Sequence, residues 1–272
     1  MFKLNFLKIN FVDKLSFYFK FFVFVLLTIF LIFLKTCLQI FAKNKSQKII
    51  QIFHKLLLWL ININVEVIGK RNLKNVPTLY VSNHLSYLDI PVLGSTINGR
   101  FIAKNEISNW PIIGNLSKVG DTIFIDRNLS FLKTNKSIIL DYISNGDNII
   151  LFPEGTTSDG IRVLSFKSSL LTSLEKKNII IQPIVIYYKS INGMPLNRWL
   201  KPIIAWYGDM DLKPHLNNVL KLFSIKVRIT FLPPLNGQDF ANRKDMTSSL
   251  HRAIDNFYSE EPNNSLSNYL IL

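Results

Sequence analysis

The longest uncharged apolar run of the chain lies near its start. Residues 21–34, FFVFVLLTIFLIFL, carry no charge and lie between Lys20 and Lys35. A bilayer-crossing helix needs roughly 20 apolar residues, and this run reaches that length only if both lysines extend their amines toward the membrane surface. The pattern therefore predicts a helix that either crosses the bilayer or lies half inserted, as a hairpin with residues 49–62.

Lysines flank this run on both sides, so charge gives no clear orientation. They are Lys3, Lys8, Lys14 and Lys20 before it, and Lys35, Lys43, Lys45 and Lys48 after it. A cleaved signal peptide is disfavoured because the apolar run starts late and bulky, cationic residues follow. We therefore expect residues 1–62 to be membrane-attachment helices, with residues 1–20 as an interfacial amphipathic helix. Lysines at both ends suit a segment that enters and leaves by one face, the cytoplasmic face of a bacterial inner membrane.

From residue 63 the pattern becomes that of a globular domain, in which short β-rich segments alternate with helical ones. The β-rich segments are NVEVIG, TLYVS, RFIAK, TIFID, NIILF, NIIIQPIVIYY and KVRITFL. Helical stretches are predicted at residues 128–144, 166–176 and 242–258. This alternation is typical of an α/β fold with a mostly parallel sheet flanked by helices. We expect one domain over residues 63–258 and a loosely ordered tail over 259–272.

Net charge and cysteine content limit the binding partners and the kinds of metal or disulfide site that the chain can have. The net charge is +14, from 32 basic and 18 acidic residues, which suits nucleic acid, an anionic membrane face or a phosphorylated substrate. The single cysteine, Cys37, excludes an intrachain disulfide and a cysteine metal cluster. The histidines show no metal-ligand spacing, so no metal site is predicted.

The segment VSNHLSYLDI places His84 just after a predicted strand and Asp89 five residues later. On a continuous helix these positions would be about 140° apart, so the two side chains can meet only across a turn. Pro91 fits the first turn of a helix that starts near Ser86 to Asp89. A carboxylate that holds one ring nitrogen lets the other act as a general base. The alternative is that Asp89 caps the helix and His84 is a loop residue.

Other polar residues also follow predicted strands, where the ends of parallel strands would bring them together. Lys104 follows RFIA, Arg127 follows TIFID, and Glu154-Gly155-Thr156 follow NIILFP. Cations and a Gly-Thr turn beside a histidine–carboxylate pair predict a phosphate-binding region next to a general base. The chain lacks a P-loop, a dinucleotide-binding glycine motif and a G-x-S-x-G elbow, which disfavours NTPases, Rossmann dehydrogenases and ordinary serine hydrolases.

Four blocks, in order over roughly residues 64–235, resemble the lysophosphatidic acid acyltransferase family. They are NHLSYLD, AKNEISNWPIIGNLSKVGDTIFIDR, FPEGTTSDG and IIIQPIVIYY. The resemblance implies that His84, oriented by Asp89, deprotonates the sn-2 hydroxyl of lysophosphatidic acid, which then attacks an acyl thioester. Arg127 and Lys104 would hold the phosphate, and Glu154, Gly155 and Thr156 would shape the acceptor site. Acyl-CoA or acyl-carrier protein would be the co-substrate, with no other cofactor.

Two departures from the family pattern concern substrate preference. The family usually has Phe-Lys-x-Gly after the third block, where this chain has Phe166-Lys167-Ser168-Ser169, and Gln182 precedes Pro183. Three alternatives stay open: another acceptor, such as a lyso-ornithine lipid or another lysophospholipid; a non-catalytic membrane-bound lipid-binding protein; and a nucleic-acid-binding protein. The intact His84–Asp89 pair disfavours the second alternative, and the missing nucleic-acid-binding motif disfavours the third.

Overall fold

A computed structural model describes residues 11–41, 46–69, 76–126, 132–174 and 177–261. Seven α-helices occur in these residues: α1 (Phe11–Phe41), α2 (Ser46–Leu60), α3 (Asp89–Thr96), α4 (Ile113–Val119), α5 (Leu132–Ser144), α6 (Leu212–Val219) and α7 (Arg243–Glu260). The strands are β1 (Ile63–Gly69), β2 (Thr78–Ser82), β3 (Arg100–Lys104), β4 (Ile123–Ile125), β5 (Ile149–Leu151), β6 (Ile180–Ile191), β7 (Met194–Pro195), β8 (Ile225–Phe231) and β9 (Leu235–Asn236).

The strands form one sheet in the order β1-β8-β6-β2-β5-β3-β4, and β7 and β9 pair with β6. Along this order the described strands pair in parallel, except for β6 with β8. Strands β2, β3, β4, β5 and β6 therefore share a direction, and their carboxyl ends lie at one edge of the sheet. The mostly parallel α/β fold predicted from the sequence is confirmed.

Helices cover both faces of the sheet, as the apolar strands require. One core includes Tyr80, Ile150 and Ile229 from the strands and Leu93 from α3. The other includes Leu79 and neighbouring strand residues, packed against α5, α7 and a short 3₁₀ helix, Ser168–Leu174. Because side chains alternate along a strand, adjacent residues such as Leu79 and Tyr80 enter different cores.

Helix α1 lies along the domain and packs against α2. The Phe24 and Phe53 rings are 6.3 Å apart across this helix pair. The Lys20 amine donates to the Leu220 carbonyl at 3.0 Å, and the Lys35 amine pairs with Asp121 at 2.8 Å. Fifteen residues separate the two lysines, about 22 Å along a helix. The domain therefore contacts α1 near both ends of the apolar run.

Several element boundaries differ from those predicted. The predicted helix 128–144 is described only as α5, because residues 127–131 lie outside the described residues. The predicted helix 166–176 is a 3₁₀ helix, and α7 extends past residue 258. The Asn242 side chain caps α7 by accepting from the Lys244 and Asp245 amides. Glu261 is buried and pairs with Arg228 at 2.8 Å, so residues 259–261 of the predicted tail are packed against the domain. The rest of the predicted tail, residues 262–272, lies outside the described residues.

Candidate active site

The chain leaves β2 and turns sharply before α3. The turn is anchored by Asn83, whose amide side chain donates to the Ile186 carbonyl at 3.0 Å and accepts from the Ile186 amide at 2.8 Å. These two bonds continue the β2–β6 ladder beyond Ser82, where the parallel pairing ends. The Asn83 side chain thus makes the hydrogen bonds to β6 that a backbone peptide would otherwise make. The backbone after Asn83 can therefore bend away from the sheet while β6 continues.

The turn brings together the two residues that the sequence proposed as a pair. His84 Nδ1 lies 2.8 Å from Asp89 Oδ2. The same carboxylate oxygen accepts from the Leu85 amide at 2.7 Å and the Ser86 amide at 2.9 Å. Asp89 makes no capping bond to the helix; α3 begins after Leu88, which also has no side-chain cap. Asp89 therefore faces back toward the turn, and this geometry favours the interpretation as a pair over the helix-cap alternative.

The imidazole of His84 is held flat against an aromatic ring. The Phe152 ring lies 4.0 Å from it, with an angle of 13° between the planes. Phe152 follows β5, which neighbours β2 in the sheet. The His84 side chain is 16% exposed, whereas Asp89 is fully buried. With Nδ1 engaged by the carboxylate, Nε2 is the ring nitrogen that can take a proton from a substrate.

Glu154 lies beside His84 but faces the backbone. Its Oε1 accepts from the His84 amide at 2.6 Å, and its Oε2 accepts from the Leu164 amide at 2.9 Å. Burial raises the Glu154 pKa to about 8, although the two amide donors act to lower it. Glu154 thus ties the His84 turn to the loop after β5. Both oxygens serve this purpose in the structure, and the role of Glu154 in shaping the acceptor site stays a prediction.

The remaining predicted site residues lie around this centre. Gly155 has a φ of +71°, which suits the turn after Pro153-Glu154, and Thr156 is exposed. Lys104 ends β3, two strands from β2 and so about 10 Å away across the sheet. Arg127 lies outside the described residues, one position after Asp126 at the end of the β4 segment. The predicted cation site is therefore described only at Lys104.

Sequence reasoning missed two residues of this centre. Tyr188 on β6 donates its hydroxyl to Asp89 Oδ1 at 3.0 Å, and Asn83 anchors the turn. Asn83 could have been identified from the sequence, since it directly precedes His84 in the block NHLSYLD. Tyr188 ends the block IIIQPIVIYY, but it lies 99 residues from Asp89 and resembles an ordinary strand residue, so no local pattern links it to the pair.

An apolar cavity of about 290 Å³ lies between the N-terminal helices and the domain. Its wall includes Leu31 of α1, Phe53 and Leu57 of α2, Ile90 of α3 and Phe101 of β3. The Phe101 ring lies 6.2 Å from Phe152, the ring that stacks on His84. One aromatic layer therefore separates this cavity from the ring under the imidazole.

The sequence matches known proteins over most of its length. The family model described as Acyltransferase matches residues 64–187. Lyso-ornithine lipid O-acyltransferase of Brucella abortus (strain 2308) is 31% identical over 226 residues, covering 79% of this chain and 84% of that protein. The protein of that name from Rhizobium meliloti (strain 1021) is 33% identical over 218 residues, covering 76% and 74%.

Two more distantly similar proteins are named for a different acceptor lipid. The 1-acyl-sn-glycerol-3-phosphate acyltransferase of Neisseria meningitidis serogroup B (strain ATCC BAA-335 / MC58) is 26% identical over 177 residues, covering 65% of this chain and 67% of that protein. The crystal structure of the 1-acyl-sn-glycerophosphate (LPA) acyltransferase PlsC from Thermotoga maritima superposes with a TM-score of 0.68 at 23% identity. It covers 94% of this chain and 97% of that one. At this identity the structural similarity establishes the fold.

Proposed function

Because this chain belongs to the acyltransferase family that includes lyso-ornithine lipid and 1-acyl-sn-glycerol-3-phosphate acyltransferases, and is an O-acyltransferase, we propose that it acylates a lysolipid hydroxyl from an acyl thioester. The observation that carries the proposal is the His84–Asp89 pair at 2.8 Å, at the carboxyl end of a parallel strand. This is the location where sheets of this class place their ligands.

The mechanism follows from the geometry of the pair. Asp89 accepts a hydrogen bond from the Nδ1–H group of His84, which fixes the tautomer whose Nε2 carries a lone pair. Nε2 takes the proton of the acceptor hydroxyl while the hydroxyl oxygen attacks the thioester carbonyl. The C–S bond then breaks, and the thiolate leaves with little need for acid assistance, since its thiol has a pKa of roughly 8.5. The positive charge on His84 is balanced by the buried Asp89 carboxylate. Nε2 afterwards gives its proton to the thiolate or to water, which restores the neutral imidazole.

The test compares wild-type protein with His84→Ala and a matched control, His251→Ala, which removes an imidazole from α7. Thiol release is measured in membranes with a long-chain acyl-CoA, with and without lysolipid. We expect release to require both the lysolipid and His84, and to be retained in His251→Ala. Near-normal turnover in a folded His84→Ala protein would refute the mechanism. If acyl-CoA gives no release in the wild type, acyl-carrier protein is the next donor to test.

Two acceptors have specific support. The four sequence blocks favour lysophosphatidic acid, which the sequence analysis placed first. The relatives at 31% and 33% identity are named for lyso-ornithine lipid, whereas those named for 1-acyl-sn-glycerol-3-phosphate are at 26% or less. We therefore propose lyso-ornithine lipid as the first acceptor and lysophosphatidic acid as the second. Initial rates with each acceptor at equal concentration decide between them.

The cavity between α1, α2 and the domain suits the acyl chain of a substrate. Its wall is mostly apolar, and a buried chain in it would avoid contact with water. Leu57 lines the cavity, so Leu57→Phe should shorten the preferred acyl chain by filling part of the space. Trp59 lies two residues away and is 75% exposed, so Trp59→Phe is the control. An unchanged chain-length preference in Leu57→Phe would place the acyl chain elsewhere.

Membrane attachment through α1 forms part of the proposal. Among the described residues, Tyr18–Cys37 is the one helical segment long and apolar enough to cross a membrane. Its outer side exposes Phe19, Phe22, Phe30 and Phe33, each between 59% and 66%. The domain contacts α1 through lysines about 22 Å apart, so a perpendicular crossing would pull the polar domain into the bilayer. We propose that α1 lies in the membrane plane with its phenylalanines in the lipid.

Labelling from one side of the membrane tests this arrangement. In a Cys37→Ser background, single cysteines are placed before and after the apolar run, at Lys14 and Asn44. An impermeant maleimide should label both positions in inverted inner-membrane vesicles and neither in intact spheroplasts. Labelling of one position in each preparation would mean that α1 crosses the bilayer.

A further inference from the structure

The Asp89 carboxylate has a second oxygen that the proposed mechanism does not use. Oδ2 accepts from His84 Nδ1 and from the Leu85 and Ser86 amides. Oδ1 accepts from the Tyr188 hydroxyl at 3.0 Å, across a contact that is buried on both sides. A buried carboxylate is costly unless its oxygens are paired, and this phenol supplies the hydrogen-bond donor for Oδ1.

We propose that Tyr188 is a positioning residue for acyl transfer, which acts on His84 through Asp89. The inference rests on the proposed function, since it assigns Tyr188 a role in the same reaction. By holding Oδ1, the hydroxyl fixes the rotation of the carboxylate and keeps Oδ2 aimed at Nδ1. By sharing the negative charge, it also limits how tightly the carboxylate holds a proton on the imidazole.

The fold keeps Tyr188 in place for this role. Strand β6 continues beyond β2, and the paired bonds between Asn83 and Ile186 fasten it to the His84 turn two residues before Tyr188. The Tyr188 ring belongs to the core that also contains Leu88, just before α3, and Val92 in α3. Rotation away from Asp89 would therefore require repacking of that core.

The phenol remains a donor throughout the working pH range. Burial, followed by the neighbouring Asp89 charge, raises the Tyr188 pKa well above its ordinary value. Within the described part of the chain, the other titratable groups that interact with this carboxylate are His84 in the turn, Glu154 in the loop after β5, and Tyr258 on α7. A variant that leaves these groups in place isolates the contribution of the Tyr188 hydroxyl.

The test is Tyr188→Phe, with Tyr187→Phe as the matched control. Tyr187 is the adjacent residue, but it faces the other core, where its ring lies 5.5 Å from Tyr258. Loss of the Tyr188 hydroxyl leaves more negative charge on Asp89, so the pair holds its proton more tightly. The acid limb of the kcat/KM pH profile should shift upward by about one pH unit, which is a tenfold tighter hold on the proton. Tyr187→Phe should keep the wild-type limb.

A double-mutant cycle separates a positioning role from a purely structural one. In an Asp89→Asn background, adding Tyr188→Phe should change kcat less than twofold, because the hydroxyl acts through the carboxylate. A uniform loss of activity with an unmoved acid limb, or full additivity with Asp89→Asn, would overturn the proposal. If wild-type protein shows no His84-dependent transfer, the proposed function itself fails; the inference about Tyr188 fails alone when wild-type transfer is normal.

A second variant covers the case in which Tyr188→Phe does not fold. Incorporation of 3-fluorotyrosine at position 188 keeps the ring and the hydroxyl but makes the phenol a stronger donor. The acid limb should then shift downward, opposite to the effect of phenylalanine, while 3-fluorotyrosine at position 187 should leave it unchanged. An unmoved limb with fluorotyrosine at 188 would also overturn the proposal.

Discussion

Replacing Glu154 with glutamine tests whether this buried carboxyl titrates near neutral pH. Both of its oxygens accept backbone N–H groups, from His84 at 2.6 Å and Leu164 at 2.9 Å. Glutamine offers one oxygen and one amide nitrogen, so one backbone donor would face another donor. The loss of that bond should cost about 1–3 kcal/mol of folding free energy at low pH, where the wild-type carboxyl is neutral.

The pH dependence comes from burial, which raises the Glu154 pKa from 4.5 to about 8. Below pH 4.5 the carboxyl is protonated in both the folded and the unfolded chain, so it adds no pH dependence there. As pH rises from 4.5 to 8, the unfolded chain releases this proton while the folded chain retains it, and stability falls. A difference of about 3.5 pH units corresponds to ~5 kcal/mol, all of it lost once pH exceeds the folded pKa.

The assay is urea unfolding in non-ionic detergent, followed by tryptophan fluorescence at pH 5 and pH 8.5. At pH 5 the wild-type protein should have the larger free energy of unfolding. At pH 8.5 the difference in unfolding free energy between wild type and Glu154→Gln should vanish or change sign. Glu106 is an exposed carboxylate, so Glu106→Gln is the control and should follow the wild type. If the gap between wild type and Glu154→Gln is equal at both pH values, Glu154 is ionised throughout, and the reasoning from burial is refuted.

Three further predictions concern other parts of the molecule. In Gly94→Ala, the new Cβ would lie 1.9 Å from Nδ1 of buried His54, so α2 must move off α3; we expect a loss of about 1–3 kcal/mol, visible as a lower Tm. Ile112 has a φ of +64° and an exposed side chain, so Ile112→Gly should raise stability by about 1 kcal/mol, and a lower Tm would contradict the strain. Arg127→Ala should mainly raise KM for lysophosphatidic acid; an unchanged KM would indicate a different anion site.

Local patterns were sufficient for the approximate positions of the main strands and for the pairing of His84 with Asp89. The strands TLYVS and RFIAK are β2 and β3 as predicted, because their apolar content and bounding polar residues are local properties. His84 and Asp89 could be predicted to form a pair because they are only five residues apart. The residues that form the turn between them lie in the same short segment. The resemblance of the chain to the acyltransferase family came from four sequence blocks in order, and recognising these blocks also required no tertiary structure.

Tertiary structure decided which distant groups meet. Glu154 was placed near His84 from the sequence, but its pairing with two backbone amides depends on how the loop after β5 folds back. Tyr188 reaches Asp89 only because β6 neighbours β2 and extends beyond it, a strand order that periodicity does not encode. A helix that crosses the bilayer would need Lys20 and Lys35 to reach the membrane surfaces, whereas the structure shows both lysines bound to the domain. Hydrophobic periodicity and short spacings reflect local steric preferences, whereas these contacts depend on long-range packing of the whole chain.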